Sequence, residues 1–522
     1  MKSKRIAAVA AVALAGLALS ACTAETGGTQ GGTPVEGGVI NIAWASQPPS
    51  LDPGAVTTTS TNFIAYNVFE GLVALDENLN VQPVLAESVT QEGYETFTFD
   101  LREGVKFHNG APLTADDVVA SLERWLANST TGKANFAGAT VEKVDEATVV
   151  LHTDGPNFTA LYQIAQPTQQ AVIMPASSIA AAVENQIPTE QLFGTGPFKI
   201  GEVVQDQSIT LDRFEDYVSP SGESSGLTGE KKAYADQLVF NIVPDLTTRL
   251  NGLASGQYHF ATEISPDNAS VLQNDEALAM NTLNSGILTM LLNKEAGVFA
   301  DATTRQALQA GLDIEEIMLA TYGTDDFFDL NGALAPRGQE AWYSEVGLEN
   351  YNQADVEKAK ALLAESGYNG ETLKFLTTRD YPYMYNSAVV VVSQLEEIGF
   401  TVDLQVTDWA GVLDAFAKPD AWDASTVDFL LRPSPLALSF FNPTYFGKTN
   451  DPAIENAIAT INASADEATA SAGVAALQEA FFEYVPVIKF GEIRAITGQR
   501  TDVGGFISFL GPVFFGSYLI AE

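Results

Sequence analysis

The chain has 522 residues, with 66 acidic against 26 basic side chains, a formal net charge of −40 and a single cysteine. So acidic a surface repels nucleic acid and anionic lipid headgroups, which argues against both as partners, and the lone cysteine excludes internal disulfides and cysteine-based metal sites. A hydrophobic fraction of 46 % excludes disorder for the bulk of the chain, and the length exceeds what one core usually supports, so two or three lobes are expected.

Lys2, Lys4 and Arg5 open the chain, an apolar run follows from Ile6 to Ala21, and that run ends in Leu19-Ser20-Ala21-Cys22. The run is shorter than the roughly 20 residues a spanning helix needs. A basic start, a short apolar run and small residues before a cysteine read as a lipoprotein export signal over 1–21. Cys22 is then the lipid-bearing first residue of the mature chain, held by two acyl chains where one would be marginal. A signal anchor whose cysteine is incidental is the alternative. Residues 22–38 are Gly- and Thr-rich without apolar periodicity, and read as a flexible tether with a reach of roughly 20–25 Å. Beyond the apolar run, no segment reaches membrane-spanning length.

A folded region begins at Val39–Trp44, whose alternation suits a strand. Thr96–Leu101 alternates in the same way, and Thr114 with Asp117 starts a helix through Val118, Leu122 and Trp125. Further strands are expected at 148–152, 208–211, 237–243, 373–377 and 401–406, and helices at 303–312, 355–366, 385–397 and 466–484. Ser219–Gly229 reads as a polar surface loop. Strands and helices mixed over this length predict an α/β or α+β protein of several lobes.

Enzyme signatures are weak. His108, His152 and His259 stand far apart, and none has metal-ligand spacing with another His or Cys. Gly222-Glu223-Ser224-Ser225-Gly226 matches G-x-S-x-G, but its flanks, Ser-Pro and Leu-Thr-Gly, offer no strand before it and no helix after it. Gly194-Thr195-Gly196-Pro197-Phe198 lacks the Lys-Ser/Thr of a phosphate loop and reads as a tight turn. An exported serine hydrolase using Ser224, or a surface lipoprotein with no small-molecule ligand, are the rival classes.

Several segments, taken in order, carry a family resemblance. They are Leu51-Asp52-Pro53, Tyr66-Asn67-Val68-Phe69-Glu70-Gly71-Leu72-Val73, Pro83-Val84-Leu85-Ala86-Glu87-Ser88, Phe97 through Gly110, Pro112 through Val119, and Gly194 through Phe198. Arg305-Gln306-Ala307-Leu308, Ala359 through Tyr368, and Gln394 through Gly399 continue the series. The chain resembles the extracellular solute-binding proteins of family 5, the oligopeptide- and dipeptide-binding lipoprotein receptors of ABC importers. The resemblance implies an α/β, type II (cluster C) periplasmic-binding-protein fold of two hinged lobes with an extra inserted subdomain. Lobe I would comprise 39–74, 191–282 and 492–522, the inserted subdomain 75–190, and lobe II 283–491. It further implies a monomeric receptor outside the cytoplasmic membrane, with a membrane permease as partner, no cofactor, no metal and no covalent chemistry; closure about the hinge would trap a peptide or peptide-like solute.

The same resemblance points to pocket residues. In dipeptide-binding relatives an Arg-x-Tyr faces the ligand and its Arg pairs with the ligand carboxylate; Arg379 and Tyr381 fall on those positions. A guanidinium suits the task because its planar fork donates two parallel hydrogen bonds; the alternative is a surface Arg paired with Asp380 or another acid. Peptide receptors of the family also carry a strand, an aromatic and then an Asp that binds the ligand's α-ammonium. Counting without gaps from Asp423, Phe429 takes the aromatic position and Arg432 that of the Asp. Three readings follow: Arg432 binds an anionic group of the solute; Arg432 is neutralised by an acid such as Asp428 and a peptide binds through backbone contacts; or the count slips and Arg432 lies outside the pocket. Leu431 beside it, Ser46 and Gln47 in the loop after the first strand, and Trp409 after the strand at 401–406 complete the candidate set.

Overall fold

The computed structural model describes residues 32–521. The expected export signal, Cys22 and the first part of the expected tether lie outside the described residues. Pro34 and Val35, read from sequence as tether, instead pair antiparallel with Ile520 and Leu519; the β-branched Val35 completes the edge of a short C-terminal strand.

Ten strands run in one continuous sheet: β1 (Val39–Trp44), β2 (Phe198–Val204), β3 (Ser208–Arg213), β4 (Gln237–Ile242), β5 (Phe260–Ile264), β6 (Leu278–Leu292), β7 (Thr372–Thr378), β8 (Thr401–Thr407), β9 (Ala424–Leu430) and β10 (Val487–Arg500). Their spatial order is β8-β7-β9-β6-β10-β5-β1-β4-β3-β2. A short eleventh strand, Phe328–Asp329, pairs with Ile493 and Glu492 of β10. The two long strands, β6 with 15 residues and β10 with 14, lie side by side at the middle and are shared by both lobes. The lobe boundaries expected at 282/283 and 491/492 therefore fall inside them.

Each half of the sheet is covered on both faces. Leu288, Met290, Phe375 and Val391 pack on one face of the second lobe, and Trp342, Val427, Phe429 and Phe481 on the other. In the first lobe Ile40, Ile42, Phe198 and Phe240 face the larger core, while Leu253 and Leu272 close the opposite side. Runs buried on both faces are what central strands of an α/β sheet require.

The inserted subdomain carries its own four-stranded sheet (Ala86–Glu92, Thr96–Leu101, Thr148–His152, Thr140–Lys143) and the helix Ala115–Asn128. That helix starts where expected: the Asp117 carboxylate accepts from the Thr114 N–H at 3.0 Å and its hydroxyl at 2.6 Å, which satisfies an otherwise orphan donor at the N-terminus. Several of the family-like segments turn out to dock elements together. Asp52 is fully buried and takes Arg124 of this helix at 2.6 Å together with the Ile187 N–H at 2.9 Å. Glu70 accepts from Lys231 at 2.8 Å, Tyr217 at 2.9 Å and Thr195 at 2.9 Å. A Cβ at Gly194 would lie 2.1 Å from the Val68 carbonyl oxygen, so the Gly-Thr-Gly turn exists to let two backbones meet.

Candidate functional site

Strand direction decides where a ligand can sit. Strands β7, β8 and β9 are mutually parallel and end at Thr378, Thr407 and Leu430, pointing toward the first lobe. Strands β1, β4 and β5 are parallel too and end at Trp44, Ile242 and Ile264, pointing toward the second. The carboxyl ends of the two halves thus face each other, the place where open α/β sheets bind ligands. On the shared strand β6, Ile264 is level with Thr282 through Ile496 of β10, and Leu430 is level with Gly286. Four residues of strand span about 13 Å, and this gap is the cleft.

A cavity of about 860 Å³, measured to its open mouth, occupies the gap. Leu283, Ser285, Ala495 and Thr497 of β6 and β10 form its floor. The first lobe contributes Trp44, Asn62, Phe63, Tyr66 and Glu263, the inserted subdomain Gln166–Thr168, and the second lobe Leu430, Leu431, Arg432 and Pro433.

The second lobe presents a cation. The Leu431 N–H donates to the Ser285 carbonyl at 3.0 Å and the Pro433 carbonyl accepts from the Gln339 side chain, so the backbone on both sides of Arg432 is held. Its guanidinium has no hydrogen bond or ion pair among the described residues, and burial alone pushes its pKa down; an arginine still keeps its charge. Asp428 does not neutralise it, because that carboxylate accepts from the Tyr383 hydroxyl.

The first lobe presents acceptors. Between Ala261 and Ile264 the pairing of β5 with β10 shifts register, and such a bulge re-aims a side chain. Glu263 stands in this bulge at φ +54°, a left-handed conformation costing a non-glycine residue roughly 1–2 kcal/mol. Arg249 holds it there: its guanidinium donates to the carbonyls of Thr262 at 3.1 Å, Val243 at 2.9 Å, Pro244 at 2.8 Å and Glu263 at 3.2 Å. Glu263 lines the cavity as an exposed residue, its side chain has no hydrogen bond or ion pair among the described residues, and desolvation raises its pKa against the opposing influence of Arg249. Beside it Asn62 is 2 % exposed and its Oδ1 has no hydrogen-bond partner.

The remaining sequence-derived residues lie elsewhere. Arg379 donates to the Tyr385 hydroxyl at 2.7 Å and stacks 3.9 Å from its ring centre on an exposed surface. Tyr381 is exposed and meets Trp409 edge-on at 5.3 Å, and the Trp409 backbone N–H donates to the Asp380 carboxylate at 2.7 Å. Arg379, Tyr381 and Trp409 follow the carboxyl ends of β7 and β8, on the cleft side of the second lobe but outside the cavity lining. Phe429 is core, packed on Phe440 and Tyr445. Ser46 is exposed, and the Gln47 side chain accepts from the Asp206 N–H at 3.2 Å rather than facing the cavity. Sequence reading missed Glu263 and Asn62. Tyr66 and Asn67 lay in a quoted segment, but nothing in it singled out the Asn five residues before.

Residues 80–451 match the family model of bacterial extracellular solute-binding proteins, family 5. The chain belongs to that family. It is 29 % identical over 72 % of its length to a probable peptide ABC transporter periplasmic-binding protein, y4tO, of Sinorhizobium fredii, covering 71 % of that protein. It is 27 % identical to the oligopeptide-binding protein AppA of Bacillus subtilis, with 78 % of this chain and 76 % of AppA aligned. The fold is that of the ABC transporter substrate-binding protein CtaP of Listeria monocytogenes, with a TM-score of 0.81 at 21 % identity, covering 93 % of this chain and 99 % of that one. This is the type II binding-protein fold, and family members are binding proteins rather than enzymes. The hydrolase alternative falls with it: Ser224 sits exposed in a loop with neither strand nor helix beside it. His108 lies between the Gly194 N–H and the Gly196 carbonyl, and His259 accepts from the Asn41 N–H. No helix among the described residues is long and apolar enough to cross a membrane.

Proposed function

We propose that this chain is the lipid-anchored, monomeric receptor of an ABC importer, capturing a peptide or peptide-like solute that carries an anionic group and delivering it to a permease. Relatives named as peptide and oligopeptide receptors support the solute class. One observation carries the anionic group: Arg432 lines the cavity without a protein partner. An ammonium buried against it would cost several kcal/mol, whereas a carboxylate, phosphate or sulfonate would satisfy its fork. The lobes close about β6 and β10, and Cys22 keeps the receptor within a tether's length of the membrane.

Mass spectrometry of the solute that co-purifies with the protein tests the ligand. A peptide-like compound with an anionic group is expected, and a solute with no anionic group contradicts the proposal. The anchor is tested separately by Cys22→Ala, which should release the protein from the membrane fraction; a variant that stays membrane-bound would argue against lipidation at Cys22.

A further inference from the structure

We propose that the cavity takes a dipolar solute in one orientation, with its anionic group on Arg432 of the second lobe and its cationic group on Glu263 and Asn62 of the first. This rests on the reading of Arg432 given above and extends it to the other end of the ligand.

Three independent features converge on the first-lobe wall. Glu263 is held in a left-handed conformation at a bulge by four Arg249 hydrogen bonds to backbone carbonyls, its own among them. Backbone held in a sparsely populated conformation by its surroundings clusters at ligand sites, and here it sets Glu263 in the cavity lining. Asn62 adds a second acceptor, nine-tenths buried and unpartnered, on the same wall. An unpaired buried acceptor costs stability unless a ligand donor reaches it, and an ammonium, with three N–H donors, can serve both groups. The wall is finished by the rings of Trp44, Phe63 and Tyr66, with Phe63 at 6.3 Å from Trp44 and 5.8 Å from Tyr66; such faces favour a cation over an anion. Opposite them stand Arg432 and the apolar Leu430 and Leu431.

The arrangement has a mechanical consequence. A solute with both charges bridges the two lobes, and each ion pair forms fully only when the lobes approach. A solute with the anion alone engages one lobe and has less differential affinity for the closed state, so it drives less closure. Recognition of the second charge is therefore recognition by closing.

The test exposes the purified protein to a yeast-extract filtrate, removes unbound material by gel filtration and identifies the retained solutes by mass spectrometry. Wild type should retain solutes that carry both an anionic and a cationic group. Glu263→Gln should lower their retention at least ten-fold and shift the retained set toward anions without a cationic group, and Arg432→Gln should abolish both classes. Asn62→Leu serves as a second probe of the same wall and should lower retention in the same direction as Glu263→Gln; thermal melts establish that each variant is folded. Retention of anions without a cationic group by wild type, or retention of dipolar solutes unchanged in folded Glu263→Gln and Asn62→Leu, overturns this inference while leaving the role of Arg432 intact. Retention that does not depend on Arg432, or no retained solute, overturns both.

Discussion

Lys294 lies buried in the second lobe with no ion pair among the described residues; its ammonium donates to the carbonyls of Leu292 at 3.0 Å and Pro486 at 2.8 Å. Burial, helped by the nearby Arg305, brings its pKa down to about 7. In the unfolded chain a lysine titrates near 10.4. Between these values the unfolded chain holds a proton that the folded chain has released, so stability rises as pH increases above 7, by at most about 1.4 kcal/mol per pH unit. Urea midpoints between pH 7 and 9 should climb in the wild type, and Lys294→Met should flatten the climb; an identical slope in both would contradict the assignment. Residues of this kind also show what sequence can convey. Arg432 stood out in the sequence because the family resemblance implies an acid at its position, and the structure puts it in the cavity lining. Glu263 was not, since its importance comes from a bulge and from Arg249 clamping the backbone, neither of which leaves a turn-type residue in the sequence. Arg379 lies outside the cavity lining, and its partner Tyr385 stands on the first turns of the helix Pro382–Ile398, a contact that only the three-dimensional course of the chain creates.

At the scale of elements, strands expected at 39–44, 96–101, 148–152 and 401–406 and helices expected at 303–312 and 466–484 appear within one or two residues of those bounds. Both helices open on an aspartate, Asp301 or Asp466, whose side chain caps the first turn. The central strands β6 and β10 were not legible, because their buried face changes as they pass from one lobe to the other and Asn284-Ser285-Gly286 interrupts the alternation. That interruption is functional geometry. A Cβ at Gly286 would lie 2.2 Å from the Phe429 carbonyl oxygen and 3.0 Å from its carbon, so only glycine lets β6 pair with Leu430 just before Arg432. Gly286→Ala should push β9 away, destabilise the protein by about 1–3 kcal/mol as overpacking does, and weaken solute binding by displacing Arg432. Denaturant unfolding and a solute titration check both effects, and a variant with unaltered stability and affinity would contradict this account of the hinge. Beside the hinge, Glu492 accepts from Asn284 at 2.6 Å and Asn331 at 2.6 Å with Lys489 at 3.9 Å, a buried network joining both shared strands.

Across the whole molecule, the two lobes touch at a second place besides the shared strands. Trp342 of the second lobe is fully buried and meets Phe158 and Tyr162 of the inserted subdomain edge-on at 5.8 and 5.4 Å. The Trp342 backbone N–H donates to the Gln339 carbonyl at 3.0 Å, and the Gln339 side chain in turn donates to the Pro433 carbonyl. The contact that holds the lobes together is thus connected through one residue to the segment carrying Arg432. A net charge of −40 does not oppose anion capture there, because exposed charges beyond about 8 Å are largely screened at physiological salt. Anion capture in this cleft requires Arg432 to pair with a charge of the solute once the lobes have closed. Titration calorimetry with the co-purified solute, on wild type and Arg432→Ala, tests it most directly. Binding by Arg432→Ala should weaken by about 2–5 kcal/mol, the usual cost of truncating one partner of a buried charge pair, and unchanged affinity in a folded variant would contradict the pairing.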